Sequence, residues 1–261
     1  MNNKPFLSLI AVAGLIITAL LFLFSAAIPQ DPGIHLLADQ REFFRIPHFL
    51  NVVTNLPFLV IGLIGIRLIV NGRFPGGLPK LRMAYLLFFA GIFLTGLGST
   101  YYHLHLNNDA LVWDRLPMTM AFMAFFSLII GENIDIEAAQ RILYPLIIAG
   151  IASVAYWYWG EKHHHGDLRF YALVQFLPIL LIPLILVTGK VQQVNNHYRW
   201  ALLGAYVAAK LAEYGDLAIY QHSGLISGHS LKHLLAASGV ALFYFGLKKP
   251  THPPSERFVR H

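Results

Sequence analysis

Not one of the 261 residues is a cysteine. No disulfide can hold this fold, and any metal site must be built from His, Asp, Glu and water rather than thiolate. Charge is scarce too: Asp, Glu, Lys and Arg make up 12% of the chain, where a soluble domain carries about a quarter. That shortage argues against an ordinary soluble globular protein, and the 56% hydrophobic content points to a bilayer. Long polar stretches are also missing, which leaves no room for a separate soluble domain.

What is present is a series of apolar runs, at roughly 6–28, 48–70, 82–103, 111–131, 142–159, 170–188, 198–220 and 229–247. Their lengths match the about 17 to 25 residues of a membrane helix. The expected fold is all-α, a polytopic transmembrane helical bundle with a seven-helix core and one extra N-terminal helix. Its parts are an N-terminal transmembrane helix and outside loop over 1–47, the core over 48–247 and a short cytoplasmic tail over 248–261. Lys4 followed by an apolar run resembles a signal peptide, but Phe6 to Ile28 exceeds the roughly 7–15 residues of a signal core. SAAIPQ, Ser25 to Gln30, is only a partial cleavage site, so the first run reads as an uncleaved helix. No sequence repeat of fixed period is visible.

Basic residues set the expected orientation through the positive-inside rule. Of the 19 Lys and Arg, Arg115, Lys210 and Lys232 lie within spans and Arg41, Arg45, Lys162 and Arg169 fall in outside loops. The remaining twelve, Arg199 and Lys190 among them, fall inside when both termini are cytoplasmic. The net charge of +6 suits an anionic inner leaflet. A nucleic-acid partner is not expected, because the charges are scattered over several loops with no aromatic interleaving.

Ionisable groups inside spans are expensive and so are functional candidates. Ser99 and His103 stand four apart near the outer end of the third span, and Asp114 follows at the outer start of the fourth. In SGHSLKHLLAA, His229 and His233 share a face at the outer start of the last span. The topology drawn from Lys and Arg puts all five at similar depth, although up to 134 positions separate them. Three imidazoles at one level fit a three-histidine Zn2+ site with the fourth position left to water. Asp114 could orient that water or act as general base, and Ser99 could donate to a developing oxyanion. The implied chemistry is hydrolysis of an acyl bond.

Plainer readings stand beside each residue. Interfacial histidines often only hydrogen-bond a neighbouring helix, Ser99 reads as a small packing residue beside Gly96 and Gly98, and Asp114 could cap its helix or pair with Arg115. Lys210, Glu213 and Asp216 share a broad face of the seventh span: Lys210 and Glu213 read as an internal ion pair, and Asp216 as a group that orients a metal-bound histidine. Asn51 and Asn55 read as interhelical hydrogen-bond donors. The adjacent His163, His164 and His165 in an outside loop point different ways and read as weak surface binders or nothing, and His105 is off the Ser99 face.

GLGSTYYH (Gly96 to His103), DRLPM (Asp114 to Met118) and GHSLKHLLAA (Gly228 to Ala237) together resemble the alkaline ceramidases of the wider CREST superfamily. NVVTNLPF, Asn51 to Phe58, resembles that family's first helix with its N-x-x-S-N pattern. The resemblance runs from about Pro47 to Phe245. It implies a seven-helix core with Zn2+ on His103, His229 and His233, and Ser99 and Asp114 serving hydrolysis of a ceramide-like lipid amide drawn from the membrane. The family's acidic D-W-x-E calcium motif has no counterpart, since PHFLN puts His48 where its last Glu is expected. Ca2+ is therefore not carried over. Asp39 and Glu42 form the candidate cation loop, against the plainer reading of an ordinary exposed loop.

The expected function is a zinc-dependent membrane amidohydrolase releasing a sphingoid base and a fatty acid. The alternatives are a receptor-like protein of the progestin and adiponectin receptor type, with a structural zinc site, and a transporter, for which internal repeats or broken helices are lacking. Short loops and the lack of organelle signals suggest a bacterial inner membrane, with the site towards the periplasm.

Overall fold

The computed structural model describes residues 4–189 and 194–250, and there the chain forms α-helices with no β-sheet. Lys190 and the tail 251–261, with Arg257 and Arg260, lie outside the described residues. In chain order the helices are α1 (Lys4–Phe24), α2 (Phe49–Val53), α3 (Leu56–Val70), α4 (Arg82–His105), α5 (Asn108–Asn133), α6 (Ile136–Lys162), α7 (Arg169–Thr188), α8 (His197–Tyr214), α9 (Asp216–Ser223) and α10 (Gly228–Lys248).

Among the described residues, seven stretches are long and apolar enough to cross a membrane: Pro5–Phe24, Phe49–Val70, Pro79–His105, Asn108–Asn133, Ile136–Lys162, Arg169–Thr188 and Gly228–Lys248. The second is interrupted between α2 and α3, because Pro57 lacks the N–H that would bond back to Val53. The expected span 198–220 divides at Gly215 into α8 and α9. With Arg199, Lys210 and Glu213, α8 is too polar to join the seven. Side-chain caps fix several helix starts. Asn107 accepts from the Ala110 N–H (2.8 Å), Asp135 from Ala138 (2.7 Å) and Ser227 from Ser230 (3.1 Å).

The closest packing is of α4 on α5 and of α8 on α10, with α3 against α4 and α6 against α5. Lipid tails are as apolar as leucine, so shape complementarity holds such helices together more than burial from water does. The aromatic centre illustrates it: Phe243 of α10 sits 5.3 Å from Phe88 of α4 and 5.6 Å from Phe125 of α5, centroid to centroid. One ionic clamp lies at the end away from the histidines. Arg199, expected in an inside loop, is instead fully buried in the first turn of α8. Its guanidinium donates to Glu132 of α5 (2.9 and 2.6 Å), and the Tyr85 hydroxyl donates to the same carboxylate. Two charges that would be prohibitive singly in an apolar interior are tolerated because they neutralise each other.

The segment between α1 and α2 lies across the opposite, histidine-bearing end of the bundle. The Leu168 N–H donates to the Ile28 carbonyl (2.8 Å), Gln30 receives Arg115 from α5 (2.7 Å), and the Ala38 N–H donates to Asp216 (3.0 Å). Those bonds tie it to three parts of the core.

Candidate metal centre

Two glycines set the geometry of the site, because at each a backbone presses where a side chain would stand. A β-carbon on Gly98 of α4 would overlap the Trp113 carbonyl of α5, and one on Gly228 would overlap the Ala212 carbonyl of α8. Only glycine permits either approach. The first contact sets the next residue along α4, Ser99, beside the next residue along α5, Asp114, on the wall of one cavity. The second seats the start of α10 on α8 and α9, where Asp216 accepts the His229 N–H (2.7 Å). Each glycine thus positions the candidate side chain that follows it.

His103 from the end of α4 and His229 and His233 from the first two turns of α10 converge, all buried. Their ring centroids lie 4.8 to 5.1 Å apart, and their candidate ligand atoms lie within 4.8 Å of one another. His103 Nε2 and His229 Nε2 are 3.3 Å apart, which matches the about 3.3 Å edge of a tetrahedron with metal–nitrogen bonds near 2.0–2.1 Å. His233 Nδ1 lies 3.0 Å from Thr54 Oγ1, and that hydroxyl is 2.6 Å from the Leu50 carbonyl. The threonine proton goes to the carbonyl, so the oxygen accepts from His233 Nδ1–H and leaves Nε2 bare. His103 Nδ1 is buried with no hydrogen-bond partner. The trio therefore has more imidazole nitrogens than internal bonds to satisfy them, and it fits a Zn2+ ion in donor type, spacing and tautomer.

Asp114 and Ser99 face a cavity of about 90 Å³ that also touches His233, Lys210, Glu213 and Lys232. The alternative pairing of Asp114 with Arg115 is not what forms. The Arg115 guanidinium sits between Trp157 and Tyr171, 4.2 and 4.7 Å from their centroids, and reaches Gln30. An apolar cavity of about 130 Å³ continues inward between Phe58, Phe125, Ile182 and Val240, and the two share Thr95, Met118, Gln175, Tyr206 and Ala236 as walls.

The remaining candidates divide. The expected Lys210–Glu213 pair forms, and Lys232 of α10 joins it on the other carboxylate oxygen. Asp216 binds backbone, the N–H groups of His229 and Ala38, rather than an imidazole. In the candidate cation loop Asp39 is buried, which corrects the plainer reading of an exposed loop. Its carboxylate is taken by the Arg41 guanidinium (2.8 and 2.7 Å), which also reaches the Leu225 carbonyl, while Glu42 is exposed. Burial alone would push the Asp39 carboxyl up, but hydrogen bonds and charge from Arg41 hold it below its ordinary value. Asn51 bridges elements as expected, donating to the Asp39 carbonyl (3.2 Å) and accepting from Ser230 (2.7 Å). Asn55 bonds only within its own segment. His163 and His165 are exposed and turn to nearby carbonyls.

Sequence reasoning missed Thr54, Lys232 and the Glu132–Arg199 clamp. The signal for Thr54 was its place between Asn51 and Asn55, in a polar stretch opening an apolar span.

Over residues 44–215 the chain matches the family model described as Ceramidase. No curated protein matches it closely enough to serve as a relative. His229 and His233 lie beyond the matched stretch, so their part rests on geometry. The match spans about two thirds of the chain, and the chain belongs to the ceramidase family, which makes it an amide hydrolase by descent.

Proposed function

We propose that the chain is an integral membrane, zinc-dependent amidohydrolase that cleaves the amide bond of ceramide-like lipids to a sphingoid base and a fatty acid. One observation carries the reading: a buried histidine trio beside a cavity that also holds Asp114 and Ser99. His103, His229 and His233 would hold Zn2+, which when bound polarises a carbonyl and lowers the pKa of water.

The side chains supply the rest. Asp114 is half-buried, faces the cavity and is not taken by Arg115. Its carboxylate takes a proton from the attacking water and passes it to the departing amine nitrogen. Ser99 turns its hydroxyl to the carbonyl oxygen as negative charge gathers there. Thr54 keeps His233 in one tautomer. The apolar cavity receives the acyl chain. It lies between α7, which packs on α5 and α6, and α8, which packs on α10, and across it Gln175 donates to the Tyr206 hydroxyl (2.7 Å). A lipid reaches the site sideways from the bilayer between those helices.

Residues 28–38 brace the site end of a core over 48–247, the N-terminal unit over 1–47 precedes that core, and with α8 as the eighth crossing both termini face the cytoplasm. The source is bacterial, with the site towards the periplasm. Calcium has no part in the proposal, since an arginine already occupies Asp39.

The test is fatty-acid release from ceramides by zinc-loaded protein, compared with His229→Ala and Asp114→Asn. Release by the wild type alone supports the reading. Equal release by all three refutes it.

A further inference from the structure

The cavity beside the histidines carries more cationic hydrogen-bonding capacity than a neutral headgroup uses. Lys210 on α8 and Lys232 on α10 both donate to Glu213, one to each carboxylate oxygen. An ammonium carries three N–H donors, and neither lysine has another hydrogen bond among the described residues. Both side chains line the same cavity as Asp114, Ser99 and His233 and are only partly exposed, 37% and 22%. Both lysines thus border the space that the proposed substrate enters. Lys210 also stands one turn beyond Tyr206 on α8, with its ammonium 5.9 Å from the Phe176 ring of α7, at the rim between the two helices. The acyl cavity runs the other way, towards Val240 and Ile182.

Charge points the same way. Within the cavity Lys210 and Lys232 balance Glu213 and Asp114, and a divalent cation on the neutral histidines leaves the whole positive. In a low-dielectric span such a surplus is costly until an anion meets it. We infer that Lys210 and Lys232 form an anion subsite on the amine side of the scissile bond, and that the preferred ceramide-like substrates bear a phosphate or carboxylate on that side. This deepens the lipid-amide reading and rests on it. Glu213 holds the two ammonium groups together, in the way a shared counter-ion positions a pair of donors for a third group.

Binding, rather than turnover, carries the test, so that it survives failure of the hydrolase reading. The probes are N-palmitoylglycine, ceramide 1-phosphate and the neutral N-palmitoylethanolamine, titrated into zinc-loaded wild type and Asp114→Asn in detergent. At least one anionic probe is expected to bind about tenfold tighter than the neutral one. Which of the two it is distinguishes a carboxylate beside the amide from a phosphate farther along the headgroup. Lys210→Met and Lys232→Met should each shrink that ratio several-fold, with Lys232→Arg keeping most of it and the neutral probe unaffected. A purely structural role for the triad would instead lower thermal stability and weaken all probes alike, and that result overturns the inference. So does equal affinity of the wild type for anionic and neutral probes, a comparison that needs no variant to fold.

Discussion

Thr54 holds His233 through a single hydrogen bond of 3.0 Å, with its own proton committed to the Leu50 carbonyl. Thr54→Val keeps the shape and removes the acceptor, so the ring is free to change tautomer. Zinc affinity, read by competition with a chelator, should fall by about 10–100-fold, and Thr54→Ser should restore it. Asp39 gives a second expectation, in pH. Its carboxyl titrates below the ordinary value of 3.8 in the folded chain. Its contribution to stability is therefore complete above that value and is lost as pH falls through the folded one. Asp39→Asn should lower the thermal midpoint at about pH 7, and its deficit should close as pH falls below the ordinary value of 3.8 and through the lower folded one. A deficit that stays constant across that range contradicts the assignment. The residues of the site were legible because ionisable groups in apolar spans are rare, and the histidines on α10 keep helical spacing. Thr54 was not, since a threonine in an apolar run looks like packing until His233, 179 positions away, is seen beside it.

What joins the helices is local and specific. Glu132 and Arg199 are both fully buried and have each other as counter-ion. Glu132→Ala should cost about 3–5 kcal/mol by leaving a buried guanidinium unpaired, seen as a lower thermal midpoint in detergent. The double change Glu132→Leu with Arg199→Met should recover most of that loss. At the other end, Gly98→Ala should push α4 from α5 at a cost of about 1–3 kcal/mol. Separating Ser99 from Asp114, it should reduce fatty-acid release in protein that still folds. Most span positions could be read from hydropathy, since length and composition alone mark a membrane helix. The break at Gly215 and the burial of Arg199 could not. A count of basic residues treats every arginine near a span end as a loop cation, and only the tertiary fold brings Glu132 to it.

Taken whole, the molecule is a helical bundle whose two ends do different work. One end is locked by the Glu132 clamp and the aromatic centre, and the other holds the histidines under the segment that follows α1. Between them lies the apolar cavity of the proposed acyl chain. Val240 lies in its wall, so Val240→Phe should shift release towards shorter acyl chains across a chain-length series with little change in thermal midpoint. The bundle was foreseeable from the order of apolar spans. The cavity was not, because it is a gap between α7 and α8 that no local pattern encodes. The measurement closest to the central claim is a zinc titration of metal-stripped protein, with bound metal and fatty-acid release from ceramide followed together. Release should rise in proportion to bound zinc and saturate with a single ion per chain, and His233→Ala should abolish both. Full release from metal-free protein would contradict that claim.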